Sequence, residues 1–269
     1  MIGILIAVIV LILLYLFSLR GRTRHPLMRK LRKWKYAHRG LHGDGVPENS
    51  MKAFSLAMEN GYGIELDIHL LADGNLAVIH DSSLKRMAGA DVMIEDLSTE
   101  QLKEYRLGGT EETIPTFCQV LELFAGKAPM IVELKPAGGN HDVLAETACR
   151  MMADYEGLFC MESFDPRCIR WLKKNRPDIV RGQLVYNSLH EKDTHVLWLL
   201  RFVVTNLMSN WWNCPDFIAY NFPDRERLSV KIARKLWKVQ GVSWTLRKKE
   251  EYETAVKEGW IPIFEGFRP

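Results

Sequence analysis

The chain has 269 residues, 47% of them hydrophobic and 26% charged, and a formal net charge of +3; this describes a globular protein with a substantial core and excludes a disordered one. Eight Lys or Arg residues lie between Arg20 and Lys35, ahead of the first acid, Asp44; the other 28 basic residues face 33 acids, a balance of about −5. Positive charge belongs to a short collar and not to the bulk of the chain, which argues against a nucleic-acid partner.

The first element is "MIGILIAVIVLILLYLFSL". Ile2 to Leu19 carry no charge, and as a helix at ~1.5 Å per residue they reach roughly 27 Å, close to the hydrocarbon thickness. A cleaved signal peptide has its positive charge before the apolar run, and here the basic cluster follows it. The expectation is a transmembrane anchor over residues 1–19, a juxtamembrane collar over 20–35, and a single-pass protein of the cell membrane with its catalytic domain cytoplasmic.

From Lys35 onward short apolar runs alternate with amphipathic ones. Strands are expected at "KYAH", "GIELDIHL", "NLAVIH", "PMIVELK", "LFCMES", "DIVRGQLVY", "DFIAYNF", "GVSWTL" and "WIPIF", each rich in Val, Ile, Phe or Tyr. Helices are expected at "SMKAFSLAMENG", "DVLAETACRMMADYEG", "DPRCIRWLKKN", "DRERLSVKIARKLWKVQG" and "KKEEYETAVKEG", most of them stopped by Gly or Pro. Repeated strand-helix units predict a parallel α/β sheet, either a closed (β/α)8 barrel or an open doubly wound sheet. The Asp73-Gly74 turn makes the second and third strands a hairpin, leaving one strand surplus to a simple barrel. No linker or repeat divides residues 36–269, so one domain is expected. The five cysteines, 118, 149, 160, 168 and 214, are unclustered and read as small core residues in a reducing compartment.

Polar groups crowd the strand ends, where a barrel of this kind keeps its chemistry. The first strand ends in His38-Arg39-Gly40, the third in His80-Asp81, and the fourth in Glu133-Leu134-Lys135. In the second strand Glu65, Asp67 and His69 alternate, so all three point to one face. Buried carboxylates need compensation. Either they pair with Arg39 and Lys135 in an ionic network, or Glu65, Asp67 and Glu133 hold a hard divalent cation, Mg2+ or Ca2+, through oxygen. His38 and His80 suit paired acid-base work, whereas His42, His141, His190 and His195 read as loop or surface residues. Arg39 and Lys135 suit an anionic, phosphate-bearing substrate.

The ordered motifs "HRG…PENS…ELDIHLLADGNLAVIHD…LSTEQL…IPTF…VELK…SFD…WTL" make the chain resemble the glycerophosphodiester phosphodiesterases from Tyr36 to Pro269. The resemblance implies a TIM barrel and a metal bound by Glu65, Asp67 and Glu133. It implies His38 and His80 as the acid-base pair, Arg39 and Lys135 as phosphate ligands, and Trp244 in the substrate pocket. The implied reaction cleaves a glycerophosphodiester to glycerol 3-phosphate and an alcohol; some family members act on lysophospholipids instead. Two departures stand out. "FEGFRP" replaces the usual "TDRP" ending, bringing Glu265 and Gly266 there, and Leu246-Arg247 replace "VN" after Trp244-Thr245. Both are expected at the pocket rim, where they bear on substrate preference.

Between the sixth and seventh strands, "HVLWLLRFVVTNLMSNWW" places Leu200, Val203, Val204, Leu207, Met208 and Trp211 on one side of a helix. Arg201, Thr205, Ser209 and Asn210 lie on the other. Such a helix covers a barrel or, with its three Trp residues and the N-terminal segment, docks on membrane lipids. The competing functional readings are a phosphodiesterase, a lysophospholipase D-like enzyme, and a catalytically silent lipid-binding barrel.

Overall fold

The structure, a computed structural model, describes residues 1–191 and 196–269. Nine strands form one sheet: β1 Tyr36–Ala37, β2 Gly63–Leu70, β3 Leu76–Val78, β4 Met130–Leu134, β5 Phe159–Ser163, β6 Arg181–Val185, β7 Phe217–Asn221, β8 Gln240–Leu246 and β9 Ile261–Phe264. Eight of them run parallel in the order β1-β9-β8-β7-β6-β5-β4-β2, and pairing of β1 with β2 closes the ring. The closed barrel is the alternative realised. The surplus strand is β3, antiparallel to β2 through Ile68↔Val78 and Leu70↔Leu76, as the Asp73-Gly74 turn predicts.

Inside the barrel the strand period of two sorts the side chains by height. Tyr36, Ile131, Cys160, Phe217, Ile261 and Ile263 form an apolar floor together with Leu31 and Met28 from the basic collar. Above it the inward positions turn polar: Glu65, Asp67, Glu133, Glu162 and Gln183 are all buried. A second apolar shell, with Ile64, Leu66, Ile68, Met130 and Val132, joins the barrel to its helices. The expected helices form at Met51–Glu59, His141–Met151, Pro166–Asn175, Leu228–Lys235 and Lys249–Lys257. Ser50 and Asp165 cap two of these with their side chains, each satisfying an N–H that the helix leaves unpaired.

Two expectations change. The N-terminal helix is regular only over Ile2–Ser18, 17 residues, or about 25 Å. Its last turn is committed to the barrel: Ser18 and Leu19 are buried, and the Trp237 indole donates to the Leu16 carbonyl at 2.7 Å. Only its first three turns or so project, and among the described residues no helix is long and apolar enough to cross a membrane. The single-pass anchor is therefore not supported. The collar is held to the barrel: the Arg22 guanidinium grips both Asp216 oxygens at 2.5 and 2.6 Å, and Leu31 sits under the barrel.

The second change concerns the helix expected over 195–212, whose first residue, His195, lies outside the described residues. It is two helices, Trp198–Thr205 and Asn210–Asn213, separated by a turn with Leu207 at φ 59°. The turn buries Leu207 in the core. The Tyr220 hydroxyl holds the Thr205 carbonyl at 2.8 Å, at the end of the first helix. The expected division into sides does not hold: Thr205, Ser209 and Asn210 of the polar side are buried together with Leu207 of the apolar side, while Leu200 and Trp211 of the apolar side are exposed, as are Leu197, Trp198 and Leu199.

Candidate active site

The site is assembled at the ends of the strands. β1 delivers His38 and Arg39, and the turn that follows has left-handed backbone at Arg39 (φ 54°) and Gly40 (φ 81°). Gly40 is required there twice over, since a Cβ would lie 2.8 Å from Ala53 Cβ and 2.9 Å from the Phe54 ring of the next helix. This close approach answers to the glycine in the His-Arg-Gly run. β2 and β4 are parallel neighbours with Asp67 opposite Glu133, so the in-phase acids of both strands converge. One oxygen from each of Glu65, Asp67 and Glu133 lies within 4.8 Å of the others, and all three residues are buried.

Two cations reach this cluster. Lys135 Nζ stands 2.8 Å from Glu133 Oε1 and 3.2 Å from Asp67 Oδ1, and Arg39 Nε stands 3.6 Å from Asp67 Oδ2. Burial pushes Asp67 up, but Lys135, His80, Arg39 and the Asn49 amide (Nδ2 to Oδ2, 2.8 Å) together hold it well below the carboxylate range. Burial lifts Glu133 to about 7 against the opposing pull of Lys135. Glu65 is raised well above its ordinary value by burial, then by Asp67 and Glu133. The ionic pairing and the cation-ligand reading of the sequence thus meet in one cluster, with more acid than two basic groups neutralise.

The donor set fits a hard divalent ion. It is all oxygen, and Asp67 Oδ1 and Glu133 Oε1 are buried without a hydrogen bond of good geometry, although Lys135 is within ion-pair distance of both. Mg2+ and Ca2+ prefer such ligands. A second group, His38, His42 and Glu265, also lies within 4.8 Å. There Arg247 already spans Glu265, with Nε 2.9 Å from Oε1 and Nη2 3.2 Å from Oε2, so the carboxylate has its counter-charge.

Both histidines flank the carboxylates. His38 Nε2 is 3.9 Å from Glu65 Oε2, and its Nδ1 is 2.5 Å from Glu265 Oε2. His80 Nδ1 is 2.6 Å from Asp81 Oδ1, and the other Asp81 oxygen accepts from Arg86 Nε at 2.5 Å. Burial lowers both imidazoles below their ordinary value, in each case against a carboxylate partner that raises it. Arg39 is steadied by Glu48 at 2.8 Å, and Glu48 in turn by Arg86 at 2.7 Å.

A cavity of about 830 Å³ opens beside the cluster, with His80, Glu133 and Lys135 on one wall. Phe164, Val185, Tyr186, Leu200 and Val204 give the lining an apolar part, beside which Arg167, Glu191 and Arg201 also line it. Trp244, expected in the substrate pocket, is not among the lining residues; its ring packs edge-on against Phe164 at 5.6 Å and backs the wall instead. His69 belongs to the structure of the site, held between Glu95 (2.7 Å) and the His80 carbonyl (3.2 Å).

Several functional groups escape a reading by motif. Glu162, opposite Glu133 in the β4–β5 register, is a fourth buried acid, raised well above its ordinary value by burial and by Glu133. Its phase in "CMES" matches that of Glu133 in "IVEL", which was the available signal. Glu48 and Asn49 lie in the quoted "PENS" motif, but nothing in it shows that they reach Arg39 and Asp67, and Arg86 gives no sign of its contact with Glu48. His190 is exposed as expected, whereas His42 and His141 are both half-buried, His42 standing 4.0 Å from Glu265.

Comparison with known proteins agrees with this geometry. Residues 38–265 match the profile of the glycerophosphoryl diester phosphodiesterase family. The chain is 31% identical over 233 residues to a glycerophosphodiester phosphodiesterase of Caldanaerobacter subterraneus subsp. tengcongensis, covering 83% of this chain and 89% of that one. It is 31% identical over 133 residues to a lysophospholipase D of Rattus norvegicus, covering 45% of this chain and 41% of that one. The fold superposes with a TM-score of 0.70, at 20% identity, on an Oleispira antarctica phosphodiesterase solved with its product sn-glycerol-3-phosphate, covering 86% of this chain and 92% of that one.

Proposed function

Since the chain belongs to the glycerophosphoryl diester phosphodiesterase family and is a phosphoric diester hydrolase, we propose that His38 and His80 carry out its acid-base steps. The substrate is a glycerophosphodiester, cleaved to glycerol 3-phosphate and an alcohol with the help of one divalent cation. The convergence of Glu65, Asp67 and Glu133, with the His38 imidazole 3.9 Å from Glu65, carries the reading.

Glu65, Asp67 and Glu133 would hold the cation. When bound, it neutralises charge on the phosphoryl oxygens and orients the diester. Arg39, with guanidinium N–H groups beside the carboxylates, and Lys135 bind the remaining phosphate oxygens. His38, neutral because burial lowers it, removes at its Nε2 the proton of the attacking water, or of a neighbouring substrate hydroxyl whose attack leaves a cyclic phosphate that a water then opens to glycerol 3-phosphate. His80, which opens on the cavity, protonates the alkoxide as the P–O bond breaks, acting from the doubly protonated ring that the Asp81 carboxylate at its Nδ1 favours against burial. The apolar wall of Phe164, Val185, Tyr186, Leu200 and Val204 excludes water from the alcohol side.

That wall also favours a second reading, in which the alcohol carries an acyl chain and the enzyme acts as a lysophospholipase D. A position at the cytoplasmic surface of the cell membrane goes with it. It is supported by the exposed apolar residues from Ile2 to Leu14, by the exposed Leu197, Trp198, Leu199 and Leu200, and by the basic residues of the collar.

The test is hydrolysis of glycerophosphocholine and lysophosphatidylcholine side by side, with Mg2+, Ca2+ or EDTA, and His38→Ala as control. Cation-dependent turnover lost in the variant supports the mechanism, and the faster substrate decides between the two readings. A folded protein that binds the cation and turns over neither substrate is a silent barrel toward them.

A further inference from the structure

We propose that Glu265 is the positioning residue of His38: its carboxylate accepts the Nδ1 proton and thereby turns Nε2 toward the Glu65–Asp67–Glu133 cluster. This deepens the proposed function and rests on its role for His38. It moves Glu265 from the rim of the pocket, where a departure from the family's ending would affect substrate preference, into the support of the acid-base pair.

The barrel brings the two residues together. β1 and β9 are parallel neighbours with Ala37 opposite Phe264, so the residues that follow, His38 and Glu265, leave the ladder side by side. The His38 backbone N–H donates to the Phe264 carbonyl at 2.9 Å, and the Glu265 N–H donates to the Leu246 carbonyl at 3.0 Å. Both backbones are fixed before either side chain is considered. Between the side chains, Nδ1 and Oε2 are 2.5 Å apart.

The direction of that bond follows from chemistry. Burial pushes Glu265 up, but His38 and Arg247 hold it down, to about 2, so at ordinary pH it is a carboxylate and can only accept. Nδ1 must then carry the hydrogen, and the neutral ring is left with its lone pair on Nε2. Nε2 is the atom that faces Glu65, at 3.9 Å. Arg247 Nε and Nη2, at 2.9 and 3.2 Å, stop the carboxylate from rotating away.

A second occurrence of the arrangement argues that it is not incidental. His80 Nδ1 meets Asp81 at 2.6 Å, and Asp81 meets Arg86 at 2.5 Å. Each imidazole of the pair therefore has a carboxylate behind it and an arginine behind the carboxylate.

The experiment compares Glu265→Gln, Glu265→Asp, His38→Ala and the Glu265→Gln/His38→Ala double variant of the full chain. Glycerophosphocholine with Ca2+ is the substrate, and thermal melts check folding. General acid-base contributions of this kind are worth about 10²–10⁴-fold. Glu265→Gln is expected to lose roughly 10²-fold or more in kcat with KM within about threefold, Glu265→Asp to recover part of it, and the double variant to be no worse than His38→Ala. Histidine 15N NMR of the protein, with the His38 signals assigned by their loss in His38→Ala, reads the tautomer without any turnover. The wild type is expected to show the Nδ1–H form, and Glu265→Gln a shift toward Nε2–H. An unchanged tautomer, a loss confined to KM, or an equal loss in the His38→Ala background would overturn the proposal. Should His38→Ala itself retain full activity, the role of His38 falls and this inference with it. An inactive His38→Ala beside a fully active Glu265→Gln sinks the inference alone.

Discussion

Replacing Lys135 with Met removes the ammonium between Glu133 and Asp67 while keeping the aliphatic stem. At an effective dielectric near 20, a unit charge about 3 Å from another is worth roughly 5 kcal/mol before desolvation. Removing one partner of a buried pair is measured at about 3–5 kcal/mol. Protonation limits the loss here, because Glu133 is already lifted to about 7. A carboxyl with a raised folded-state value binds its proton more tightly when folded, so its effect on stability turns unfavourable as pH rises from the unfolded value toward the folded one. In the variant that value rises further and the penalty grows with pH. In EDTA at pH 8 we expect Lys135→Met to lose about 3 kcal/mol, roughly 6–12 °C in Tm for a domain of this size, and clearly less at pH 6. Calorimetry at both pH values measures this. Millimolar Ca2+ should then raise the Tm of the variant more than that of the wild type, because the cation replaces the missing charge. An unchanged Tm in EDTA at pH 8, or an equal Ca2+ shift in both proteins, would refute the account of the cluster as a site with surplus acid.

Other expectations follow from single contacts. Asn49→Ala removes the amide that donates to Asp67 Oδ2 at 2.8 Å; hydrogen bonds to charged groups are worth about 1.5–3 kcal/mol, so urea unfolding should show a loss of that size, with weaker cation binding by calorimetry. Leu200→Glu puts a charge on the apolar wall of the cavity; lysophosphatidylcholine turnover should fall at least tenfold more than glycerophosphocholine turnover, and equal losses would remove the reason for a lipid substrate. In a native thiol titration Cys118, the exposed cysteine, should react first. Cys149 and Cys168, pushed up to about 12 by burial, should react only on unfolding.

The barrel was legible because its signals are local. Nine apolar runs became nine strands, and the Asp73-Gly74 turn marked the odd one. The acids of the cluster were legible for the same reason, since Glu65 and Asp67 announce their shared face by alternation within one strand. What stayed hidden depends on closure. Nothing near Glu265 shows that it meets His38, 227 positions away, and nothing near Trp244 shows that its ring packs edge-on against Phe164, which lines the cavity. The N-terminal run misled because apolar composition does not reveal that its last turn is held by Trp237. The split of the helix after Thr205 depends on Leu207 finding a place in the core, which no helical wheel contains.

The pairing of β1 with β9 has a consequence for biosynthesis. All three carboxylates, both imidazoles and Lys135 come from residues 38–135, yet the partner of His38 comes from β9, the strand of the ring made last. Until β9 is released and docks, β1 lacks one of its two neighbours, and the ring cannot close. On the proposed mechanism, a nascent chain thus carries the groups that would grip a phosphodiester before the ring that aligns them has closed, and hydrolytic competence waits on the docking of β9.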